Sequence, residues 1–325
     1  MRRFFVATTL TALAFAAAYA TPSSVSAPFA EIVQGEEPLR VLFVGDIMLD
    51  RTVALSAEER GVSALFSTSI RELFAEADVR VGNLEGAVTT NQSIARRDHT
   101  IFRFTFDPAV AQQALLALGF DVLSLANNHA LDFGAAGYAQ TGAYLEAWGV
   151  QSFGHPHNNA DYVSAVVERK GRALCFIGYH ALFSPDTAPI TTRLAELRPR
   201  CFKIVVFAHW GEEYSLHSTL KQREEAHAFV DAGADLVVGA HPHVVQEAEV
   251  YRGRAIFYSL GNFMFDQNFS WETTHSIALR ADFYEEETRF TLTPLIIQDQ
   301  YSTLAQGVDK TLILDRVGLA SSVLP

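Results

Sequence analysis

The segment GADLVVGAHPHV, residues 233–244, sets two histidines one residue apart directly after an apolar run. Leu236, Val237 and Val238 read as a buried strand that delivers His241 and His243 into the loop at its carboxyl end, where open α/β sheets place their ligand sites. Pro242 between them fixes one backbone torsion, and neutral imidazole is the commonest metal ligand. The pair therefore points to a metal, or else to two polar loop histidines. The same arrangement recurs along the chain. LRVLFV runs into Gly45-Asp46, VRV into Gly82-Asn83-Leu84-Glu85-Gly86, and DVLSLA into Asn127-Asn128-His129. KIVVFA runs into His209-Trp210-Gly211, and AIFYSL into Gly261-Asn262.

Turn chemistry accounts for Gly, Asn and Asp at any one of these places. It does not account for Asp, Glu, Asn and four histidines at six strand ends. Asp46, then Glu85 with Asn83, then Asn128 with His129, then His209, His241 and His243 supply the donors for one or two divalent ions. Mixed nitrogen and oxygen donors suit Zn, Mn, Fe or Co better than Ca or Mg. Arg103, between Phe102 and Phe104, is either a bidentate clamp for a phosphate or carboxylate on the substrate or a solvent-facing strand arginine. Glu213, after the His209 motif, is placed to orient an imidazole. His99, His155, His157, His180, His217 and His275 lack the strand-end setting and are expected on the surface or in the core.

In order, Gly-Asp-Ile-Met, Asn-Leu-Glu-Gly, Leu-Ala-Asn-Asn-His, His-Trp-Gly-Glu-Glu-Tyr, Gly-Ala-His-Pro-His and Tyr-Ser-Leu-Gly-Asn-Phe make the chain resemble the CapA (PgsA) capsule and poly-γ-glutamate synthesis family, over about residues 40–270. That family is a distant branch of the calcineurin-like metallophosphoesterases. The resemblance implies a four-layer α/β/β/α sandwich with its site above the strand ends. It implies that Asp46, Glu85, Asn128, His209, His241 and His243 hold metal, that His129 is a general acid, and that Asn83, Arg103 and Asn262 face substrate. Met48 stands where the wider superfamily has a histidine, and Asn83-Leu84-Glu85 replaces its usual Gly-Asp motif, so fewer ligands remain for the first metal. The implied function is metal-dependent hydrolysis or transfer in poly-γ-glutamate or envelope-polymer biosynthesis or export. The implied partners are an anionic polymer or a phosphoester, with a polymer synthase complex at the membrane. Two alternatives stand: a phosphoesterase for a small substrate, and a non-catalytic polymer-binding component.

The elements that must position these residues can also be read. At 325 residues and 49% hydrophobic content, the chain can bury a large core. A net charge of −12 argues against a nucleic-acid partner, which needs a basic face. Arg2 and Arg3 followed by an apolar run read as a signal peptide over 1–27, cleaved after Ala20 or Ala27, with an uncleaved anchor as the alternative. The expected destination is extracytoplasmic, periplasmic or secreted. A short linker over 28–39, a single domain over 40–300 and a tail over 301–325 follow. Helices are expected over 66–77, 108–118, 135–148 and 218–233, a hairpin over 162–180, and strands over 255–260 and 275–298. Cys175 and Cys201 are either a disulfide or two buried thiols.

Overall fold

A computed structural model describes residues 37–318, except Arg97 and His99. The expected signal peptide and most of the expected linker lie outside the described residues. Chain order begins β1 (Leu39–Ile47), α1 (Arg51–Arg60), α2 (Thr68–Ala75), β2 (Val79–Leu84), β3 (Ala87–Val88), β4 (Thr105–Phe106), α3 (Pro108–Leu118), β5 (Val122–Ser124), α4 (Gly134–Ala147) and β6 (Gln151–Phe153). It continues with β7 (Ser164–Arg169), β8 (Arg172–His180), α5 (Ala188–Leu197), β9 (Lys203–His209), α6 (Leu220–Asp231), β10 (Leu236–Ala240), β11 (Ala248–Tyr251) and β12 (Arg254–Phe257). It closes with β13 (Asn262–Met264), α7 (Trp271–Thr274), β14 (His275–Phe283), β15 (Thr288–Gln298), β16 (Tyr301–Leu304) and α8 (Gly307–Val317).

Two large sheets face one another. The first has the order β16-β15-β14-β1-β2-β5-β6, with β13 beside the end of β1; the second has the order β11-β12-β10-β9-β8-β7. Side chains alternate across a strand, so each central strand feeds two cores. In β1, Val41 and Phe43 enter the core between the sheets, while Leu42 and Val44 pack outward with Ile70, Phe74, Leu115 and Leu118 of the helices. In β9, Val205 and Phe207 face inward, while Ile204 and Val206 pack with Leu194 of α5 and Phe229 of α6. Three apolar clusters between four layers give the α/β/β/α sandwich. Strands with both faces covered read as near-continuous apolar runs, which is how KIVVFAH and LRVLFVGDI read.

Helix ends follow from side-chain chemistry. Asp107 caps α3 by accepting from the Ala109 and Val110 N–H groups, Pro108 opens the first turn, and Gly119 closes it at φ +66°. Thr219 and Gln222 form a capping box that starts α6 two residues later than expected. Ser67 caps α2 by accepting the Ile70 N–H, which trims the expected 66–77 to Thr68–Ala75. The expected strand region 275–298 folds as the β14–β15 hairpin. The expected tail is partly structured: β16 pairs with β15, and Ile313 and Val317 of α8 enter the core between the sheets. Cys175 on β8 is bonded to Cys201 just before β9, with the Cα atoms 5.9 Å apart, which decides the question the sequence left open.

Candidate metal centre

Three glycines let the backbone close up around the site. A Cβ on Gly45 would lie 1.8 Å from the Gly261 carbonyl oxygen, and one on Gly239 would lie 2.0 Å from that of Tyr258. Through this gap the chain crosses from the second sheet into β13, and the Asp46 N–H donates to the Gly261 carbonyl at 3.1 Å. Gly261 itself sits at φ +76°, where a side chain is strained. The crossing brings the ends of β1, β2 and β5 against those of β9 and β10.

Asp46, Glu85, His209, His241 and His243 are all at most 3% exposed. Donor atoms of Asp46, Glu85 and His209 lie within 4.8 Å of one another, as do those of Glu85, His241 and His243. Asn128 joins them, its Oδ1 accepting from His209 Nε2 at 2.7 Å. All six expected ligands thus converge from both sheets. Neither carboxylate oxygen of Glu85 has a hydrogen-bond partner, and neither has His241 Nδ1. A buried polar atom left unpaired costs about 1–3 kcal/mol, more if charged, so three at one point need a counterpart. A divalent cation would supply it, and the N/O donor set fits a transition-type ion.

The backbone around the imidazoles is strained. His241 and His243 hold φ of +96° and +59°, conformations that cost about 1–3 kcal/mol each and gather at functional sites. The His241 N–H donates to Asp46 Oδ2 at 3.2 Å, which ties the strained loop to the other sheet. His243 Nδ1 donates to Asn262 Oδ1 at 3.0 Å and lies 3.2 Å from Asp46 Oδ2, leaving Nε2 turned toward Glu85. Fixing the tautomer in this way prepares an imidazole for a metal.

Charges are tuned by the enclosure. Burial, and then the neighbouring Asp46, push Glu85 well above the ordinary carboxyl range. Burial also raises Asp46, but His243, the Asn83 amide and the His241 N–H together outweigh it and hold Asp46 low. Burial and then His243 lower His241 to about 3, and burial followed by the adjoining imidazoles holds His209 well below its usual value. Both rings are therefore neutral at physiological pH, the form in which imidazole ligates metal, and Nδ1 of His241 is unpaired.

His129 stands beside this cluster, half-buried. Its Nδ1 contacts Asp132 Oδ2 at 2.9 Å, its backbone N–H donates to Asn127 Oδ1, and its ring lies 4.4 Å from Phe104. Asp132 also accepts the Phe104 N–H at 2.7 Å. An imidazole with a carboxylate on one nitrogen offers the other for proton transfer. Sequence reading missed Asp132, although its place three residues after His129 was a usable signal.

The structure places several expected residues differently. Asn83 is fully buried, donates to Asp46 Oδ1 at 2.8 Å and accepts from Asn127, so its amide braces the ligands. Asn262 likewise spends its amide on His243, Gln267 and the Thr273 carbonyl. In both, an amide expected to face substrate is engaged by its neighbours once the sheets close. Arg103 is exposed, donates from Nε to the Asp132 carbonyl at 2.6 Å and lies over the Phe133 ring. It sits beside the support of His129. Glu213 is exposed, and Asn262 is the residue that orients His243. Met48 is fully buried in the helix-side core. His180, expected on the surface or in the core, ends β8 level with His209 on β9, with the rings 5.6 Å apart. Its burial, partly opposed by the Pro156 carbonyl, and then His157 and His129 lower it to about 4.

Known proteins resemble this chain over most of its length. The PGA biosynthesis protein CapA of Bacillus subtilis (strain 168) is 32% identical over 282 residues, covering 81% of this chain and 73% of that protein. The capsule biosynthesis protein CapA of Bacillus anthracis is 32% identical over 264 residues, covering 75% of this chain and 63% of its own length. A solved structure of a putative 5′-nucleotidase from Staphylococcus aureus superposes with a TM-score of 0.50 at 14% identity, over 86% of this chain and 58% of that one, which speaks to the fold alone. Residues 40–267 match the family described as bacterial capsule synthesis protein PGA_cap, and the chain belongs to that family.

Proposed function

We propose that this protein is an exported, metal-dependent hydrolase or transferase acting on poly-γ-glutamate or a related anionic envelope polymer. One observation carries the reading: the orphaned Glu85 carboxylate and the unpaired His241 Nδ1 meet in one enclosed cluster beside the His129–Asp132 pair. Asp46, Glu85, Asn128, His209, His241 and His243 hold the ion. When bound, it supplies Lewis acidity and the means to deprotonate water at neutral pH. Asn83 and Asn262 fix Asp46 and His243 in place. Asp132 holds the His129 ring so that Nε2 can give a proton to the leaving group.

The polymer enters this reading from the relatives, described as a PGA biosynthesis protein and a capsule biosynthesis protein. A place in a membrane-associated synthase complex accords with those descriptions. Export is supported by the Cys175–Cys201 bond, since disulfides persist in oxidising compartments, and by the signal-like residues 1–27. A phosphoesterase acting on a small substrate is the second reading, because His129 on Asp132 protonates an alkoxide as readily as an amine.

Elemental analysis of purified protein, with turnover assays on γ-glutamyl oligomers and on phosphomonoesters, tests the proposal. The expected result is one or two transition-type ions per chain and cleavage of the oligomers. Cleavage of phosphoesters alone selects the second reading, and stoichiometric metal with no turnover selects a polymer-binding role. Absence of metal overturns the centre itself.

A further inference from the structure

His180 ends the run ALCFIGYH, fully buried, and no part of the ligand cluster or of the His129–Asp132 pair uses it. Alternation along β8 fixes its direction. Leu174 and Phe176 face the core between the sheets while Cys175, Ile177 and Tyr179 face α5 and α6, so position 180 projects inward. Gly178, on the same face, is packed so closely that a Cβ there would lie 3.0 Å from the Cβ of Ala126, the residue before Asn127-Asn128-His129. His180 thus extends the imidazole row of the second sheet, in the order His243, His241, His209, His180, with ring spacings of 6.0, 4.7 and 5.6 Å.

Its two nitrogens have different surroundings. Nδ1 lies 2.8 Å from the Pro156 carbonyl oxygen, which only accepts, so Nδ1 carries the proton. Nε2 of the neutral ring is then a bare acceptor, and it is buried without a partner. His180 is not among the residues whose donor atoms gather within 4.8 Å of one another at the candidate centre. An inward, orphaned acceptor beyond the ligands and on the same side as His129 is placed to receive a donor that arrives with the substrate.

We propose that His180 is a substrate-facing positioning residue whose Nε2 accepts a hydrogen bond from an N–H of the substrate at the scissile linkage, while His129 gives a proton to the same nitrogen. The inference rests on the hydrolytic reading above and narrows it to secondary amides. An amide nitrogen has one N–H to place and needs one proton as the C–N bond breaks; the bridging oxygen of a phosphoester has no hydrogen to donate. In the balanced step a water oxygen bonds to the carbonyl carbon and the C–N pair leaves on nitrogen. The nitrogen takes a proton from His129, and His129 recovers the proton that the water lost. The products are a carboxylic acid and an amine.

The test measures binding of γ-glutamyl-glutamate, and of its depsipeptide analogue with ester oxygen in place of the amide N–H, to metal-loaded full-length protein. Wild type, His180→Ala and His180→Gln are compared, with metal content measured for each. Wild type is expected to bind the amide about tenfold more tightly than the ester, the usual scale for one buried hydrogen bond. His180→Ala removes that preference with metal content unchanged, and His180→Gln, which keeps an acceptor, retains part of it. Loss of metal in His180→Ala makes the residue a ligand and overturns the inference, as does an equal loss on both probes or an undiminished preference. Failure of metal-loaded wild type to bind either probe overturns the γ-glutamyl reading and this inference with it.

Discussion

Glu85 and His243 face each other across the gap between the two sheets, with Oε1 3.8 Å from Nε2. Glu85 follows β2 in one sheet and His243 follows β10 in the other, and both are buried. At that distance they make no hydrogen bond, and an ion that both can reach explains why each nevertheless faces the other.

Ligand loss should therefore be read in metal content. Asp46→Ala and His241→Ala are expected to leave the purified protein without stoichiometric metal, because the remaining donors cannot complete the coordination. Asn262→Ala, which frees His243 from its orienting hydrogen bond, should weaken affinity by about 10–100-fold in a chelator-competition titration. Full metal in either ligand variant would refute the assignment.

His129 and Asp132 should behave as a unit. His129→Gln is expected to lower kcat by about 10²–10⁴-fold while leaving metal content intact. The deficit should shrink for substrates with good leaving groups, which need little protonation. Asp132→Asn should show the same leaving-group dependence at smaller size, since the ring loses its orienting carboxylate. A His129 variant that loses metal instead would make it a ligand.

The disulfide closes a 26-residue separation between neighbouring strands. By chain entropy, its loss in Cys175→Ser with Cys201→Ser should cost about 3 kcal/mol of unfolding free energy, measurable by urea titration. Intact mass of protein from its own host, with and without reductant, reports on this bond and on residues 1–27 together. Reduced thiols, or a mass that retains Arg2 and Arg3, would count against export with cleavage.

The glycine crossing sets a fourth expectation. Gly45→Ala would drive a Cβ into the backbone carbonyl of Gly261, which cannot swing away as a side chain could. A loss of about 3 kcal/mol or more is expected, with metal affinity falling as the two sheets separate. A variant with unchanged melting temperature and metal content would show that the close approach is relaxed in solution.

Much of this was legible in the chain itself. Strands buried on both faces write themselves as unbroken apolar runs, so LRVLFV, DVLSLA and KIVVFA announced both the sheets and the positions at which chemistry follows. Asp46, Glu85, Asn128, His209, His241 and His243 were readable because each directly follows such a run, or lies in the short loop just beyond it. Helix α3 was equally plain, since Asp107-Pro108 and Gly119 state its ends locally.

What the sequence could not carry is which strand end lies against which. Asn83 and Asn262 have side chains suited to substrate, and only closure of the sheets shows them turned to Asp46 and His243. Whether Cys175 can reach Cys201 depends on β8 and β9 being neighbours, a long-range pairing with no local signature. His180 follows an apolar run like the others, yet without a flanking Gly or Asn it reads as the end of a hairpin. Its meaning appears only when β8 and β9 align and set it beside His209, because register between strands is fixed by packing over the whole sheet.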